Sequence, residues 1–324
     1  MNHPLSDTGT EQKKLPLVTI GVPVYNGEAY LETCLKSIEE QTYQNWKCLI
    51  IDNCSTDATN RIAATFAGRD NRFILKRFDE LLPVMENWNR VLPMADRETK
   101  YFKIIPADDF IFPEYLSRCV ELMEKYSEVG IVSTYRIDGR KVRGNGPDIL
   151  KGPVIEGSEV VRDELLLKMD VTGSANTVLY RMSELEKLDG FPHVFSLESL
   201  HGDTDLAYQV LSRAKLGFVF QVLSYTRRHE TSITTKVASQ LNTSICFRDN
   251  QLRKYREFIP DFERYYRRHR NSYALLYFKF FTHRNHKALK WHRENLDNPI
   301  RWSEIFRSLV YTYIVDKIRG RNKD

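Results

Sequence analysis

No apolar run in this 324-residue chain approaches the roughly 20 residues needed to cross a bilayer. The opening residues, MNHPLSDTGTEQKKLP, lack the apolar core of a secretory signal. The expectation is therefore a chain neither integral nor secreted, with residues 1–15 a polar, disordered tail. Cysteine is sparse. The five (Cys34, Cys48, Cys54, Cys119 and Cys246) show no CxxC or CxxH spacing. That excludes a disulfide framework and a thiolate zinc site, and leaves reduced thiols in a cytoplasmic protein. Neither a Walker loop nor a glycine-rich dinucleotide fingerprint occurs, so any phosphate has to be met by other means. No internal repeat is present.

The remaining composition is that of a globular protein, 42% hydrophobic and 28% charged. The net charge of +5 is unevenly placed. Residues 235–324 hold 20 Lys and Arg against 9 Asp and Glu, while the rest holds 28 against 34. A basic end on an acidic body is either a solvated helical surface or a docking surface for an anionic partner.

Short apolar runs punctuated by polar loops dominate the first two thirds. LVTIGVPV (17–24), WKCLII (46–51) and YFKII (101–105) read as buried strands. Residues 73–76 and 130–133 read as shorter ones. Helical spacing of apolar residues covers 28–41, 58–67, 84–92 and a segment starting at Pro113. This alternation predicts an α/β domain, a mostly parallel central sheet with helices on both faces. Residues 136–153, rich in glycine and charge, read as a loop or an irregular hairpin. Beyond 235 no strand is convincing, and Tyr-, Phe-, Arg- and Lys-rich helices run to about 318. The domains expected are a tail at 1–15, an α/β domain at 16–235 and a basic, aromatic-rich helical extension at 236–324.

Open α/β sheets bind ligands beyond the carboxyl ends of their strands. Three acidic clusters fall there: Asp52 after the second strand, Asp108 and Asp109 after YFKII, and Asp203 and Asp205 before a helical run at 206–211. Carboxylates at strand ends add little to packing. Together they form a cleft for a divalent cation, which in turn suits a diphosphate.

Four stretches, in this order, resemble glycosyltransferase family 2, which has the GT-A fold. They are TIGVPVYNGEAYLETCLKSIEEQTYQNWKCLIIDNCSTDAT, PADDFIFPEYL, HGDTDLAYQV and YTRRHETSIT, spanning about 16–235. The resemblance implies an inverting, metal-dependent transferase that moves a sugar from a nucleotide-diphosphate sugar to a glycan or lipid-linked acceptor, in surface polysaccharide biosynthesis. It implies that Pro23 and Tyr25 line the nucleotide site, that Asp52 accepts a hydrogen bond from the base, and that Asp57 supports that loop. Asp108 corresponds to the carboxylate that binds Mn2+ or Mg2+, with Asp109 beside it, and His229 to a histidine that helps hold the metal or diphosphate. Asp203 matches the general base, with Asp205 the alternative. Ser174 and Asn176 fall where small polar residues line the sugar or acceptor site, with Asp205 a further candidate there. The chain departs from the pattern at Pro106, Asn53, Cys54 and Gly202, where relatives carry acidic residues or glycine. Those departures leave a catalytically inactive sugar-nucleotide-binding scaffold as the alternative, and a nucleotidyltransferase behind it.

Several residues have plainer readings. The 52–57 loop suits an Asx turn and helix cap. Asp205 suits a helix anchor, and Trp46, Trp88 and Tyr101 suit the core. The extension interleaves aromatic and basic residues (RKYREF, FERYYRRHR, YFKFF, WHR). It fits an anionic membrane surface, which would put the protein peripherally at the inner face of the membrane. It equally fits a helical subdomain packed on the body or on a second subunit. No nucleic-acid recognition motif is present.

Overall fold

The computed structural model describes residues 14–195, 201–229, 232 and 241–321. Most of the expected tail and the expected boundary at 235 lie outside the described residues.

The first strand, β1 (Leu17–Val24), is buried at every position, and β2 (Trp46–Asn53) at all but one. Such uninterrupted burial belongs to strands covered on both faces. Between them, α1 (Leu31–Glu39) turns Leu31, Cys34, Leu35 and Ile38 inward, a spacing of three and four. Next come α2 (Thr59–Arg69) and β3 (Phe73–Phe78). A short α3 (Val84–Asn89) and a 3-10 turn (Leu92–Met94) then carry the chain to the far side of β1, where β4 (Thr99–Ile104) pairs in parallel, Ile20 opposite Lys103. Gly21 permits this close return: a Cβ there would stand 2.4 Å from Val91 Cγ1. Sheet growth therefore reverses at β1, which makes the crevice beyond the ends of β1 and β4 the switch point where such folds bind ligands.

The second half adds β5 (Phe110–Ile111), α4 (Tyr115–Lys125), β6 (Val129–Asp138), β7 (Lys141–Arg143), β8 (Val154–Ile155), α5 (Gly157–Leu165), β9 (Leu179–Arg181), α6 (Met182–Leu185), α7 (Gly202–Leu211) and β10 (Lys215–Thr226). Among the described residues the sheet has ten strands, with the path β3-β2-β1-β4-β9-β6-β10-β5, β7 on β6 and β8 on β10. The long strands pair in parallel. The short ones are antiparallel, including β9, wedged between β4 and β6.

Some details differ from the sequence reading. The strand expected at 130–133 continues to Asp138 and pairs back with β7, so of the two readings of 136–153 the hairpin holds at its start. The hairpin's outer strand is wholly exposed, in keeping with its charge. The helix expected from Pro113 begins at Tyr115, after a turn closed by the Tyr115 N–H on the Phe112 carbonyl. Asp203 and Asp205 lie within the first turn of α7 and not ahead of it. Neither α5 nor the twelve-residue β10 was anticipated.

After β10 the described chain is helical: α8 (Thr243–Lys254), α9 (Phe262–Thr282), α10 (His286–Asn295) and α11 (Trp302–Arg321). These helices are not a detached lobe. Phe247, Tyr255, Tyr273 and Trp291 share one apolar core with Leu206, Tyr208 and Leu211 of α7. Trp46 and Tyr101 are core residues, as expected, and Trp88 packs partly buried against the core.

Candidate active site

Two loops close the floor of the crevice. After β1, Tyr25 is half exposed and Asn26 takes a left-handed conformation, φ 48°. This loop is stitched to the one after β2. The Asn26 N–H donates to Ser55 Oγ at 2.9 Å, the Gly27 N–H to Thr59 Oγ1 at 2.7 Å, and the Glu28 N–H to Asp57 Oδ2 at 3.0 Å. In return Glu28 Oε2 accepts from the Ala58 N–H. Asp57 also accepts from the Thr59 N–H, an Asx turn just ahead of α2, whose cap position is Ala58. Asp52 is fully buried. Its Oδ1 accepts from the Ser55 N–H at 2.9 Å and its Oδ2 from Asn60 Nδ2 at 3.3 Å. Both carboxylates thus build the loop. Pro23 is buried in β1, whereas Tyr25 is exposed.

The second group forms where β4, β5 and β10 end together. Asp109 is buried, and its Oδ1 accepts from the Arg227 N–H at 2.8 Å. Burial, with the Asp108 charge beside it, pushes the Asp109 carboxyl well above the usual carboxylate range. Arg227 Nε donates to the Asp108 carbonyl at 2.9 Å, and its guanidinium sits 4.5 Å over the Tyr30 ring. His229 Nε2 stands 2.9 Å from Asp108 Oδ2, with its ring 5.0 Å from that of Tyr30. Residues 121 apart in sequence are thereby joined at one strand end.

The third group hangs from the 3-10 turn Ala175–Thr177. Asp203 Oδ2 accepts from the Ala175 N–H at 3.1 Å, and its Oδ1 from the Thr204 N–H at 2.9 Å. Burial raises the Asp203 carboxyl above its ordinary value, and these two N–H groups partly offset that. Ser174, partly exposed, places its Oγ 3.3 Å from Thr226 Oγ1 at the end of β10. Asn176 is fully buried. Its Nδ2 donates to the carbonyls of Phe110 at 3.0 Å and Tyr225 at 2.9 Å. It therefore clamps β5 to β10 beneath the site and offers no surface to a sugar. The same turn thus ties Asp203 to the strand ends that bear Asp108, Asp109 and Arg227.

Asp205 departs from the expected acceptor role. Its Oδ1 accepts from Lys254 Nζ of the helical extension and its Oδ2 from Gln209 Nε2 of α7 itself, both at 2.9 Å. Two carboxylates two residues apart on a helix point to different sides. One serves the cleft and the other anchors α8.

Sequence reasoning missed three contributors. Arg227 and Tyr30 pack together with His229 and Asp108, but only folding brings them there. The third, Lys103, does carry a sequence signal: a lysine in the middle of the apolar run YFKII. It is fully buried, donates to the Asn176 carbonyl at 2.9 Å, and lies 4.0 Å over the Tyr115 ring. Burial lowers its ammonium to about 7.

Among the described residues no three potential metal-binding side chains converge. Asp108 and His229 form a pair, one hard oxygen donor and one imidazole. A cavity of about 520 Å³ lies elsewhere, between α3 and the extension, lined by Glu86, Phe195 and Asp297 among others. None of the candidate residues lines it.

An α/β sheet with carboxylates gathered at a switch point is the architecture of the GT-A nucleotide-sugar transferases. Residues 19–179 match the family described as Glycosyl transferase family 2. The chain belongs to that family, and it is a glycosyltransferase. It is 25% identical over 260 residues to the putative glycosyltransferase EpsH of Bacillus subtilis, covering 76% of this chain and 74% of that one. Its fold is similar to the crystal structure of S. aureus TarS 1–349 in complex with UDP-GlcNAc, with a TM-score of 0.56 at 17% identity over 72% of this chain and 66% of that one. It is also similar to the mannosyltransferase PcManGT from Pyrobaculum calidifontis in complex with GDP-Man and Mn2+, with a TM-score of 0.50 at 19% identity over 73% and 63%.

Proposed function

We propose that this chain is an inverting transferase that takes a sugar from a nucleoside-diphosphate sugar and delivers it to a hydroxyl of a glycan or lipid-linked acceptor, in surface polysaccharide assembly. The observation that carries the reading is the meeting of Asp108 and His229 at 2.9 Å on the strand end that the Ala175–Thr177 turn links to Asp203. TarS with UDP-GlcNAc and PcManGT with GDP-Man share the fold, which supports the donor class.

Asp203 is the base. An acceptor hydroxyl is a poor nucleophile until a carboxylate takes its proton as the new bond forms. The raised proton affinity of Asp203 suits that task, and the Ala175 and Thr204 N–H groups fix where its oxygens point. A single base with direct attack on the anomeric carbon inverts its configuration. Tyr25 offers its exposed ring to the nucleotide base, above the loop that Asp52 and Asp57 build. Asp108 and His229 would hold a divalent cation, Mn2+ or Mg2+, that neutralises charge on the departing diphosphate. Asp109 and Arg227 keep that pair in register.

Thermal shift with the diphosphates of uridine, guanosine, thymidine, cytidine and adenosine, each with and without manganese, tests the reading. A ligand that binds the folded state raises its melting temperature. A metal-dependent rise for one base is expected, and no rise for any would overturn the donor assignment.

A further inference from the structure

The last helices leave an apolar stripe uncovered. On α11, Trp302, Phe306 and Val310 recur at i, i+4 and i+8 and share one side. All three are exposed, Phe306 at 71%. Phe281, at the end of α9 and also exposed, joins them through an edge contact with Trp302, ring centroids 5.3 Å apart. The fold does not need this stripe. The inner side of α11 is formed by buried Ile305 and Ser308, and Glu304 is bound by Arg270 of α9 at 2.9 Å.

The stripe lies in strongly basic surroundings. Residues 279–310 carry seven Lys and Arg against three Asp and Glu. All seven cations are exposed, while Glu304, one of the three anions, is held by Arg270. Aromatic rings among surface cations match the chemistry of a lipid interface, where rings settle at headgroup depth and cations meet anionic headgroups. A second copy of the chain is the rival occupant. It would set two basic faces against each other, and like charges across an interface oppose association.

We propose that the Phe281–Trp302–Phe306–Val310 face docks on an anionic lipid surface. The contact is peripheral: among the described residues no helix is long and apolar enough to cross a membrane. The inference stands apart from the catalytic reading, since it requires neither donor nor turnover.

The test is co-sedimentation of the full chain with vesicles of phosphatidylcholine alone and of phosphatidylcholine mixed with phosphatidylglycerol. The wild type should bind the mixed vesicles, less so as salt rises. The double variant Phe306→Asp/Val310→Asp should lose about tenfold or more in binding. Arg301→Glu/Arg307→Glu should weaken binding without touching the stripe. All four positions are exposed, so a melting temperature close to wild type should certify each fold. Absence of wild-type binding, equal binding to neutral vesicles, or unchanged binding by Phe306→Asp/Val310→Asp would each overturn the proposal. A wild-type dimer in analytical ultracentrifugation that this variant converts to monomer would assign the stripe to a second copy instead.

Discussion

Lys103 Nζ lies 2.9 Å from the carbonyl oxygen of Asn176, in a place with no solvent access. The Asn176 side chain in turn clamps β5 to β10, so the strand ends bearing Asp109 and Arg227 rest on a buried lysine. With its ammonium lowered to about 7, this lysine is largely neutral in mildly alkaline solution. Its folded-state value lies below the unfolded one. Between the two the unfolded chain binds more protons, so stability rises with pH. Relative to Lys103→Met, the wild type should gain stability from about pH 7 upward, toward the ordinary lysine value of 10.5. Denaturant titrations of both proteins across that window check this, and parallel pH profiles would contradict it.

Asp203→Asn should cut kcat by about 10²–10⁴, the range that a positioned base contributes. The amide oxygen of Asn can still accept from the Ala175 N–H, so the turn and the donor site should persist. Nucleotide affinity measured by calorimetry should therefore stay close to wild type. Turnover at the wild-type rate would remove Asp203 from the role of base.

The two halves of the sequence differ in how plainly they show the fold. β1, β2 and β4 are legible because strands buried on both faces need unbroken apolar runs, and LVTIGVPV, WKCLII and YFKII supply them. β10 escaped notice because its burial is mixed along its length, and its apolar residues follow neither strict alternation nor a continuous run. The acidic residues of the site were legible through their position at strand ends. The partners that orient them were not. The contact of His229 with Asp108 and the contact of Asp203 with the Ala175 N–H depend on chain segments 121 and 28 residues away, which no local pattern encodes. Asn176 illustrates the opposite error. A small polar residue in a loop resembles a ligand contact until its amide is found spent on two buried carbonyls.

The raised proton affinity of Asp203 has a kinetic consequence. A base works only when deprotonated, so kcat/KM should fall on the acid side as Asp203 gains its proton. Burial places that acid limb above the ordinary aspartate value of about 3.9. The limb should vanish from the residual activity of Asp203→Asn. A profile with the same acid limb in both proteins would assign it to another group.

Asp108→Ala should remove the metal-dependent part of nucleotide binding and leave the fold intact, because its side chain is about one-third exposed and holds only His229 among described contacts. His229→Ala should weaken the same response and leave part of it, since the carboxylate remains. Thermal shift with nucleoside diphosphate and manganese reads both variants. An undiminished metal-dependent shift in Asp108→Ala would displace the cation from this pair.

Asp205 and Asp203 are rivals for the role of base in the sequence and separate in the structure, so mutating Asp205 decides between them. Asp205→Ala leaves Lys254 and Gln209 without their acceptor and loosens α8 from α7. The cost should be about 1 kcal/mol, because Lys254 is well exposed and water can take the place of the lost carboxylate. Lys254→Ala should cost more, about 1–3 kcal/mol, because it leaves the buried Asp205 carboxylate without its charged partner. Neither change touches the Ala175–Thr177 turn, so kcat per folded molecule should stay near wild type. The measurement pairs a denaturation curve with kinetics on the same samples. A large fall in kcat at full stability would return Asp205 to the chemistry, and the destabilisation expected here with kcat intact fixes it as the anchor between the sheet domain and its helical extension.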